Sequence, residues 1–212
     1  MAPGIKPMSP SDIPIVVRLQ TSFLEGSIVT QLGPAFLARF HGAALEHEAS
    51  CAFVARDADD VVVGFALGSV DVHGFNSYVK PRVLTAMIRS LLSPARLGLA
   101  GSLARTVFEG EPQPPIPAEL LLLVVDPRAR RGGVGGGLIR ALEETFATHG
   151  IPRYRVAVRS QLDAARAFYV ALGFQHEQNR VVLGQPMVYL TKQVGPARGL
   201  HRNQCCRNES IR

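Results

Sequence analysis

The sequence contains no tryptophan, only three cysteines and no long apolar run. A membrane span needs ~20 consecutive apolar residues, and no such stretch occurs. The opening MAPGIKPMSPSD lacks the apolar segment of a signal peptide. Cys51 stands alone and Cys205 is adjacent to Cys206, so the cysteines do not form a disulfide framework. We therefore expect a cytoplasmic protein without a membrane partner.

The whole chain has a net charge of +6, and acidic residues are scarce at its C-terminal end. Residues 195–212 hold four arginines against one glutamate and show no periodicity. We expect them to form a disordered basic tail after a single domain of residues 1–194. A basic tail can bind nucleic acid, but no aromatic stacking platform accompanies these arginines. Nucleic acid is therefore not an expected partner.

Metal-ligand clusters and the common nucleotide motifs are also missing. The six histidines are scattered, and Cys205 and Cys206 have no second ligand pair, so no metal is expected. No lysine follows the glycines near residue 133, as a P-loop requires. A dinucleotide fingerprint read from Gly133 and Gly135 meets Leu138 where its third glycine should stand. Both nucleotide motifs are therefore disfavoured.

The first third of the chain predicts two helices and a hairpin. Apolar residues recur at helical spacing over 12–24 and 33–48. The segments 51–56 and 61–70 have the composition and alternation of strands and are separated by the turn DADD. Residues 71–117 then predict a helical insertion, in which VLTAMIRSLL and ARLGLAGSLARTVF are the helical segments and EGEPQPPIP is a linker.

The last part of the chain alternates strands and helices. The run 118–125 predicts a strand buried on both faces. Helices are predicted from the four-residue spacing that starts at Val134 and over 163–172, with a strand at 154–159 between them. RVVLG and PMVYLTKQ close the sheet. This order implies a right-handed parallel crossover, and the predicted fold class is α+β (mixed α/β), with a central, mostly antiparallel sheet and flanking helices.

The stretch RRGGVGGGLI places five glycines where a helix begins, although glycine in a helix costs about 1 kcal/mol relative to alanine. A helix N-terminus carries unpaired N–H groups and partial positive charge, which together bind anions. Glycines would leave those amides open to a bulky anion, and Arg130 and Arg131 add charge beside them. We expect a phosphate or pyrophosphate at Gly132, Gly133, Gly135, Gly136 and Gly137.

The segment VVDPRARRGGVGGGLI resembles the acyl-CoA-binding segment of the GNAT superfamily of N-acetyltransferases. Their pattern of Val-x-Pro followed by Arg/Gln-x-x-Gly-x-Gly/Ala corresponds here to Val125-Asp126-Pro127 and Arg130-Arg131-Gly132-Gly133-Val134-Gly135. In that family the backbone amides hold the coenzyme A pyrophosphate. DAARAFYVALGF resembles the family's Ala-x-x-x-Tyr-x-x-x-Gly-Phe helix, through Ala165, Tyr169, Gly173 and Phe174.

The resemblance implies a GNAT-like fold and an acetyl-CoA-dependent N-acetyltransferase without a metal. The predicted acceptor is a small-molecule amine such as an amino sugar. The alternatives are a protein or peptide N-acetyltransferase and a non-catalytic acyl-CoA-binding module, and a homodimer stays open. The residues expected to hold acetyl-CoA are Leu123, Val124, Val125, Arg130, Arg131, Gly132, Gly133, Val134, Gly135, Gly136, Ala165 and Phe168.

Two side chains are predicted to carry the proton transfers. Tyr169 is the candidate acid for the leaving thiolate, because a tyrosine with pKa near ~10 is protonated at neutral pH and the family places its tyrosine at the coenzyme sulfur. It can also be a core aromatic. Glu119 is the candidate base, since it opens an apolar strand and burial could raise its pKa. It can equally be an exposed carboxylate at the strand end.

The chain departs from the family pattern at one position, where Leu162 replaces an asparagine seven residues before the tyrosine. That asparagine usually helps to hold the pantetheine arm or the loop, so one contact is in doubt. Reserve bases with weaker arguments are Asp71, His73 and His176. Backbone N–H groups of Val124 or Val125 could polarise the thioester carbonyl.

Overall fold

The computed structural model describes residues 4–91, 116–182 and 184–195. The strands are β1 (Gly4–Pro7), β2 (Ser50–Arg56), β3 (Val62–Ser69), β4 (Glu119–Val125), β5 (Arg153–Arg159), β6 (Gln175–Val182) and β7 (Gln185–Gln193). The α-helices in these ranges are α1 (Ile13–Phe23), α2 (Ile28–Gln31), α3 (Pro34–Glu46), α4 (Val72–Leu91), α5 (Val134–Thr148) and α6 (Asp163–Ala171). The predicted tail beyond residue 195 lies outside the described residues.

The seven strands form one sheet in the order β1-β2-β3-β4-β5-β7-β6. Only β4 and β5 pair in parallel, and the helix α5 connects them along the chain. Every other neighbouring pair is antiparallel. The predicted mixed, mostly antiparallel sheet with flanking helices is therefore confirmed.

The two faces of the sheet are covered by different helices. On one face, the predicted four-residue spacing of α5 is confirmed: its apolar residues are buried in a core with β2, β4, β5 and β7. On the other face, α1, α3 and α4 pack over β2, β3 and β4. The buried residues of α5 are Val134, Leu138, Ile139, Leu142 and Phe146.

The helix α4 begins at Val72, well before the predicted segment VLTAMIRSLL. Pro81 inside the helix hid the apolar spacing of its first half, because proline is rare in helix interiors. Asp71 accepts hydrogen bonds from the backbone N–H groups of His73 and Gly74, which stabilises the first turn. The segment ARLGLAGSLARTVF lies outside the described residues. The short strand β1, flanked by glycine and proline, was also not predicted.

A buried histidine lies between α1 and α3. His41 is 1% exposed, and its Nε2 is 2.7 Å from Oε1 of the buried Gln20. Its ring makes edge contacts with the rings of Phe40 and Phe65. Burial lowers the pKa of His41 from 6.5 to about 4, because the charged imidazolium would lose its hydration.

This histidine predicts a loss of stability in acid. Between pH 6.5 and about 4 the unfolded chain binds a proton that the folded protein excludes, so stability falls as pH falls. The difference between these pKa values corresponds to roughly 3 kcal/mol. Urea unfolding is expected to show this additional fall in the free energy of unfolding between pH 7 and pH 4 in the wild type. The control variant His149→Gln, changed at an exposed site, should show the same fall. The same pH slope in His41→Gln would contradict the prediction.

Candidate active site

The parallel strands β4 and β5 separate soon after they meet. They pair only at Glu119 with Arg155 and at Leu120 with Val156. On the other side of β4, Leu67 pairs with Leu122 and Gly68 with Leu120, so Leu121 is an extra residue in β4. Such a β-bulge bends the strand that carries it and disrupts the ladder locally. The sheet is therefore open between the C-terminal halves of β4 and β5.

A cavity of about 280 Å³ occupies this opening. The middle of β4 forms one of its walls, and Leu121, Leu122 and Leu123 are only partly buried. The prediction of a strand buried on both faces is therefore wrong at these residues, because the bulge in the ladder with β3 bends β4 away from β5. The other walls come from β5, α6, the α1–α2 connection and the β6–β7 hairpin, and include Val158, Arg159, Leu162, Tyr169, Gly26 and Met187.

A larger cavity of about 630 Å³ lies between α3 and α4. It is lined by none of the predicted catalytic or coenzyme-binding residues. Leu123, Ala165 and Tyr169 all line the smaller cavity. The smaller cavity is therefore the candidate active site.

The glycine-rich segment forms the N-terminus of α5. The helix begins at Val134 after Gly133, whose φ of +78° is left-handed and favours glycine. Within the described parts of the chain no side chain caps this helix. The N–H of Gly137 already bonds to the carbonyl of Gly133 at 2.9 Å. The backbone N–H groups of the first turn, at residues 134–136, are therefore the ones that an anion can accept from.

Not every glycine of this segment serves the same purpose. A Cβ at Gly136 would meet no heavy atom within 4 Å, so the space beside this residue is open. A Cβ at Gly135 would lie 3.0 Å from Cζ of Phe168, so this glycine lets α6 pack closely on α5. Phe168 thus packs against the helix itself. Open space for a ligand therefore explains the glycine at residue 136, whereas close packing of Phe168 explains the glycine at residue 135.

The loop before α5 is ordered by a local ion pair. Asp126 accepts hydrogen bonds from the backbone N–H and the guanidinium of Arg128, and these bonds lower the pKa of the Asp126 carboxyl. Arg130 and Arg131 are exposed beside the helix N-terminus. The side chain of Val124 is buried on the α1 face, so only its backbone could serve a ligand in the opening. Val125 packs with the α5 core.

Tyr169 lies on α6 and lines the cavity with Ala165 and Leu162. It is 7% exposed, and its ring packs against Phe168 and Phe174 with centroid distances of 5.3 and 5.2 Å. Burial raises the pKa of its hydroxyl well above the ordinary value, so the group keeps its proton at neutral pH. Both sequence interpretations, core aromatic and candidate acid, agree with this position.

Glu119 forms a buried ion pair with Arg155. Glu119 is 9% exposed and Arg155 is 5% exposed, and both Nε and Nη2 of the arginine lie 2.7 Å from Oε2 of the glutamate. The guanidinium carbon is 4.8 Å from the ring centre of Tyr189. Glu119 is not among the described residues that line the cavity, although the next four residues of β4 are. The carboxylate therefore sits beside a cation, where the sequence suggested apolar surroundings.

The three reserve bases are not brought to the cavity. Asp71 caps α4, next to the exposed His73. His176 is exposed on β6, with its Nε2 3.0 Å from Oδ1 of Asn179. None of the three lines the opening between β4 and β5 in the part of the chain that is described.

The sequence analysis missed Arg159 and the α1–α2 connection as parts of this site. Arg159 ends β5, and ligands of open α/β sheets bind beyond the carboxyl ends of strands, so its position was a usable signal. The α1–α2 connection, with Leu24, Gly26 and Ser27, reaches the cavity together with Val29 of α2, and only through the packing of α1 on the sheet. No local pattern announces such a contact.

The described ranges lack two further features, a metal-ligand cluster and a membrane-spanning helix. No three or more His, Cys, Asp or Glu side chains are grouped closely enough there to hold a metal ion. None of the helices in these ranges combines the length and apolar character of a membrane span.

Three solved structures that share this fold are acetyltransferases. The Escherichia coli ribosomal-protein-S18-alanine N-acetyltransferase matches with a TM-score of 0.57 and 16% identity, over 96% of this chain and 99% of that one. The PaiA N-acetyltransferase of Thermoplasma acidophilum, in complex with coenzyme A, matches with a TM-score of 0.59 and 15% identity, over 91% of this chain and 99% of that one. A phosphinothricin acetyltransferase of Sinorhizobium meliloti, in complex with acetyl-CoA, matches with a TM-score of 0.60 and 14% identity, over 95% of this chain and 97% of that one. At these identities the likeness concerns the fold.

The fold of this chain is thus the fold of the acetyltransferase structures that it matches. The sequence pattern of the family described as the Acetyltransferase (GNAT) family matches residues 18–174, and the protein belongs to that family. The resemblance seen in the sequence is confirmed. No curated protein matches the sequence significantly. The chain is an acetyltransferase that uses acetyl-CoA and an amine acceptor.

Proposed function

We propose that the protein transfers the acetyl group of acetyl-CoA to the primary amine of a small molecule. The observation that carries this proposal is the 280 Å³ cavity between β4 and β5, which the α1–α2 connection and the β6–β7 hairpin both border. Its size is near the lower end of small-molecule sites. A long peptide would need an open groove. The proposed compartment is the cytoplasm, in keeping with the few cysteines.

The N-terminus of α5 fits the diphosphate of the coenzyme. No side chain of the described residues caps its first-turn amides, the space beside Gly136 is open, and Arg130 and Arg131 are exposed next to it. Helix N-termini of this kind bind phosphate groups through their N–H groups and partial positive charge. When bound, the coenzyme supplies an acetyl thioester.

The chain's own residues would manage two protons. As the C–N bond to the amine forms and the C–S bond breaks, the sulfur leaves as a thiolate. We propose that Tyr169, which lines the cavity, donates its hydroxyl proton to this thiolate. The amine must lose a proton before or during attack. We propose Glu119 as the base, acting through water, since its carboxylate is held by Arg155 at the start of the strand that lines the cavity.

The direct test is acetyl-CoA calorimetry together with a thiol-release assay on a panel of small amines and peptides. We expect acetyl-CoA to bind and thiol to be released with a small amine. Glu119→Gln is expected to lower kcat/KM about 100-fold and to remove the acid limb of its pH profile. Glu144→Gln, an exposed acid on α5, is the control.

Each other outcome contradicts a defined part of the proposal. Release with peptides alone would make the protein a peptide N-acetyltransferase. Binding without release would make it a non-catalytic acyl-CoA-binding module. An unchanged pH profile in Glu119→Gln would exclude this carboxylate as the base. The absence of acetyl-CoA binding would overturn the proposal as a whole.

A further inference from the structure

The chemistry of the acceptor is indicated by one cation in the cavity wall. We infer that Arg159 selects amine acceptors that carry a carboxylate and an apolar body. This inference rests on the proposed function, since it names the substrate class of the same site. Arg159 is the last residue of β5, at the carboxyl edge of the sheet, and lines the cavity.

The cavity wall is otherwise without charge. Among the lining residues that the structure describes, Arg159 is the only one with a charged side chain. It forms no ion pair with any carboxylate within those ranges, and it is partly buried. A partly desolvated guanidinium without a counter-ion gains from an anionic ligand, which it can bind through two parallel hydrogen bonds. The structure therefore leaves a place for one negative charge of the acceptor.

The guanidinium is held in place by the α1–α2 connection. Nη1 of Arg159 donates a hydrogen bond to the carbonyl of Gly26 at 3.2 Å. Any Cβ at residue 26 would collide with the guanidinium, so glycine allows the backbone to approach it closely. This bond uses one of the five N–H donors of the arginine. The others make no hydrogen bond to the described residues, so they are available to a ligand.

The remaining walls define the rest of the acceptor. The α1–α2 connection contributes Leu24, and α2 contributes Val29. The β6–β7 hairpin contributes Val182 and Met187, and all four side chains are apolar. Polyamines and lysine-rich peptides bring additional positive charge, which Arg159 repels. A neutral amino sugar has no anion to offer. An amino acid with an apolar side chain fits, because its carboxylate can pair with Arg159 while its body contacts the apolar walls.

Matched acceptors that differ only in the carboxylate test this inference. Leucine, methionine and phenylalanine are compared with leucinamide, methioninamide and phenylalaninamide in the thiol-release assay. The amine of each amide has a lower pKa than that of the acid, so rates are compared per neutral amine. On that basis we expect the wild type to prefer each acid over its amide by about 30-fold in kcat/KM, mainly through KM, since one charge-assisted hydrogen bond accounts for a preference of this size. Arg159→Gln should remove this preference, and Arg159→Lys should keep part of it. Arg153→Gln, an exposed arginine on the same strand, should keep all of it.

Binding of the reaction products separates this inference from the proposed function. N-acetylleucine and N-acetylleucinamide are titrated into the protein saturated with coenzyme A, so that no turnover is needed. The inference is overturned if the acid binds no more tightly than the amide, or if Arg159→Gln keeps the preference. Acetyl-CoA calorimetry on the same protein preparations, without added coenzyme A, reports on the coenzyme site alone. An unaltered affinity there, with no acid preference, would leave the proposed function standing and exclude Arg159 as the selective residue.

Discussion

Tyr169→Phe is expected to lower kcat about 1,000-fold while the affinity for acetyl-CoA stays at the wild-type value. The change removes only the hydroxyl that the proposal uses to protonate the leaving thiolate, and general acids contribute about 100- to 10,000-fold. The phenylalanine ring keeps the contacts with Phe168 and Phe174. Single-turnover rates and acetyl-CoA calorimetry on the same preparation measure the two quantities separately.

Tyr154→Phe is the matched control for this prediction. Tyr154 is also a buried tyrosine with a raised pKa and also packs on Phe174, but it does not line the cavity. Its hydroxyl donates to Glu143 at 2.7 Å. We expect this variant to lose about 1 kcal/mol of stability and to keep its kcat. If the two variants lose the same amount of activity, Tyr169 is a core aromatic and no more.

Gly136→Val is expected to weaken acetyl-CoA binding at least about 300-fold. A Cβ at this position meets no heavy atom of the other described elements within 4 Å, so we expect the fold to tolerate a side chain there. The same side chain would displace a diphosphate from the first-turn amides. Two hydrogen bonds to a charged group, each of about 1.5–3 kcal/mol, account for a loss of this size. Calorimetry with acetyl-CoA, together with urea unfolding, measures both effects.

Gly42→Val separates a lost binding site from a perturbed helix. Gly42 is a glycine inside α3, and a Cβ there also meets nothing within 4 Å. Both substitutions replace glycine by a residue of better helix propensity, so their effects on stability should be alike. Only the variant of α5 should lose acetyl-CoA. Wild-type affinity in Gly136→Val would show that the diphosphate is held elsewhere.

Features that depend on neighbouring residues in the chain were predicted well from the sequence. The spacing of Val134, Leu138, Leu142 and Phe146 placed α5, because one apolar face suffices to define such a helix. The glycine-rich start of that helix and the tyrosine of α6 follow motifs with fixed spacing. Local propensity and tertiary packing agree at these positions.

Features that depend on contacts distant in sequence were not predicted. The bulge at Leu121 is invisible in a run of leucines, because only its pairing with β3 makes it an extra residue. The partner of Glu119 is Arg155, 36 residues away on another strand. The role of Arg159 depends on Gly26, which folding brings from the α1–α2 connection. Such arrangements are decided by register and packing, which no local pattern encodes.

The two residue pairs that join β4 to β5 are a seam between a four-stranded and a three-stranded half of the sheet. Across the other internal boundaries the strands share longer ladders, so the backbone resists separation least along this line. A molecule bound in the opening would contact both halves at once and link them through its own contacts. We therefore expect a ligand bound in the opening to stabilise the domain along this line, and its release to remove that stabilisation.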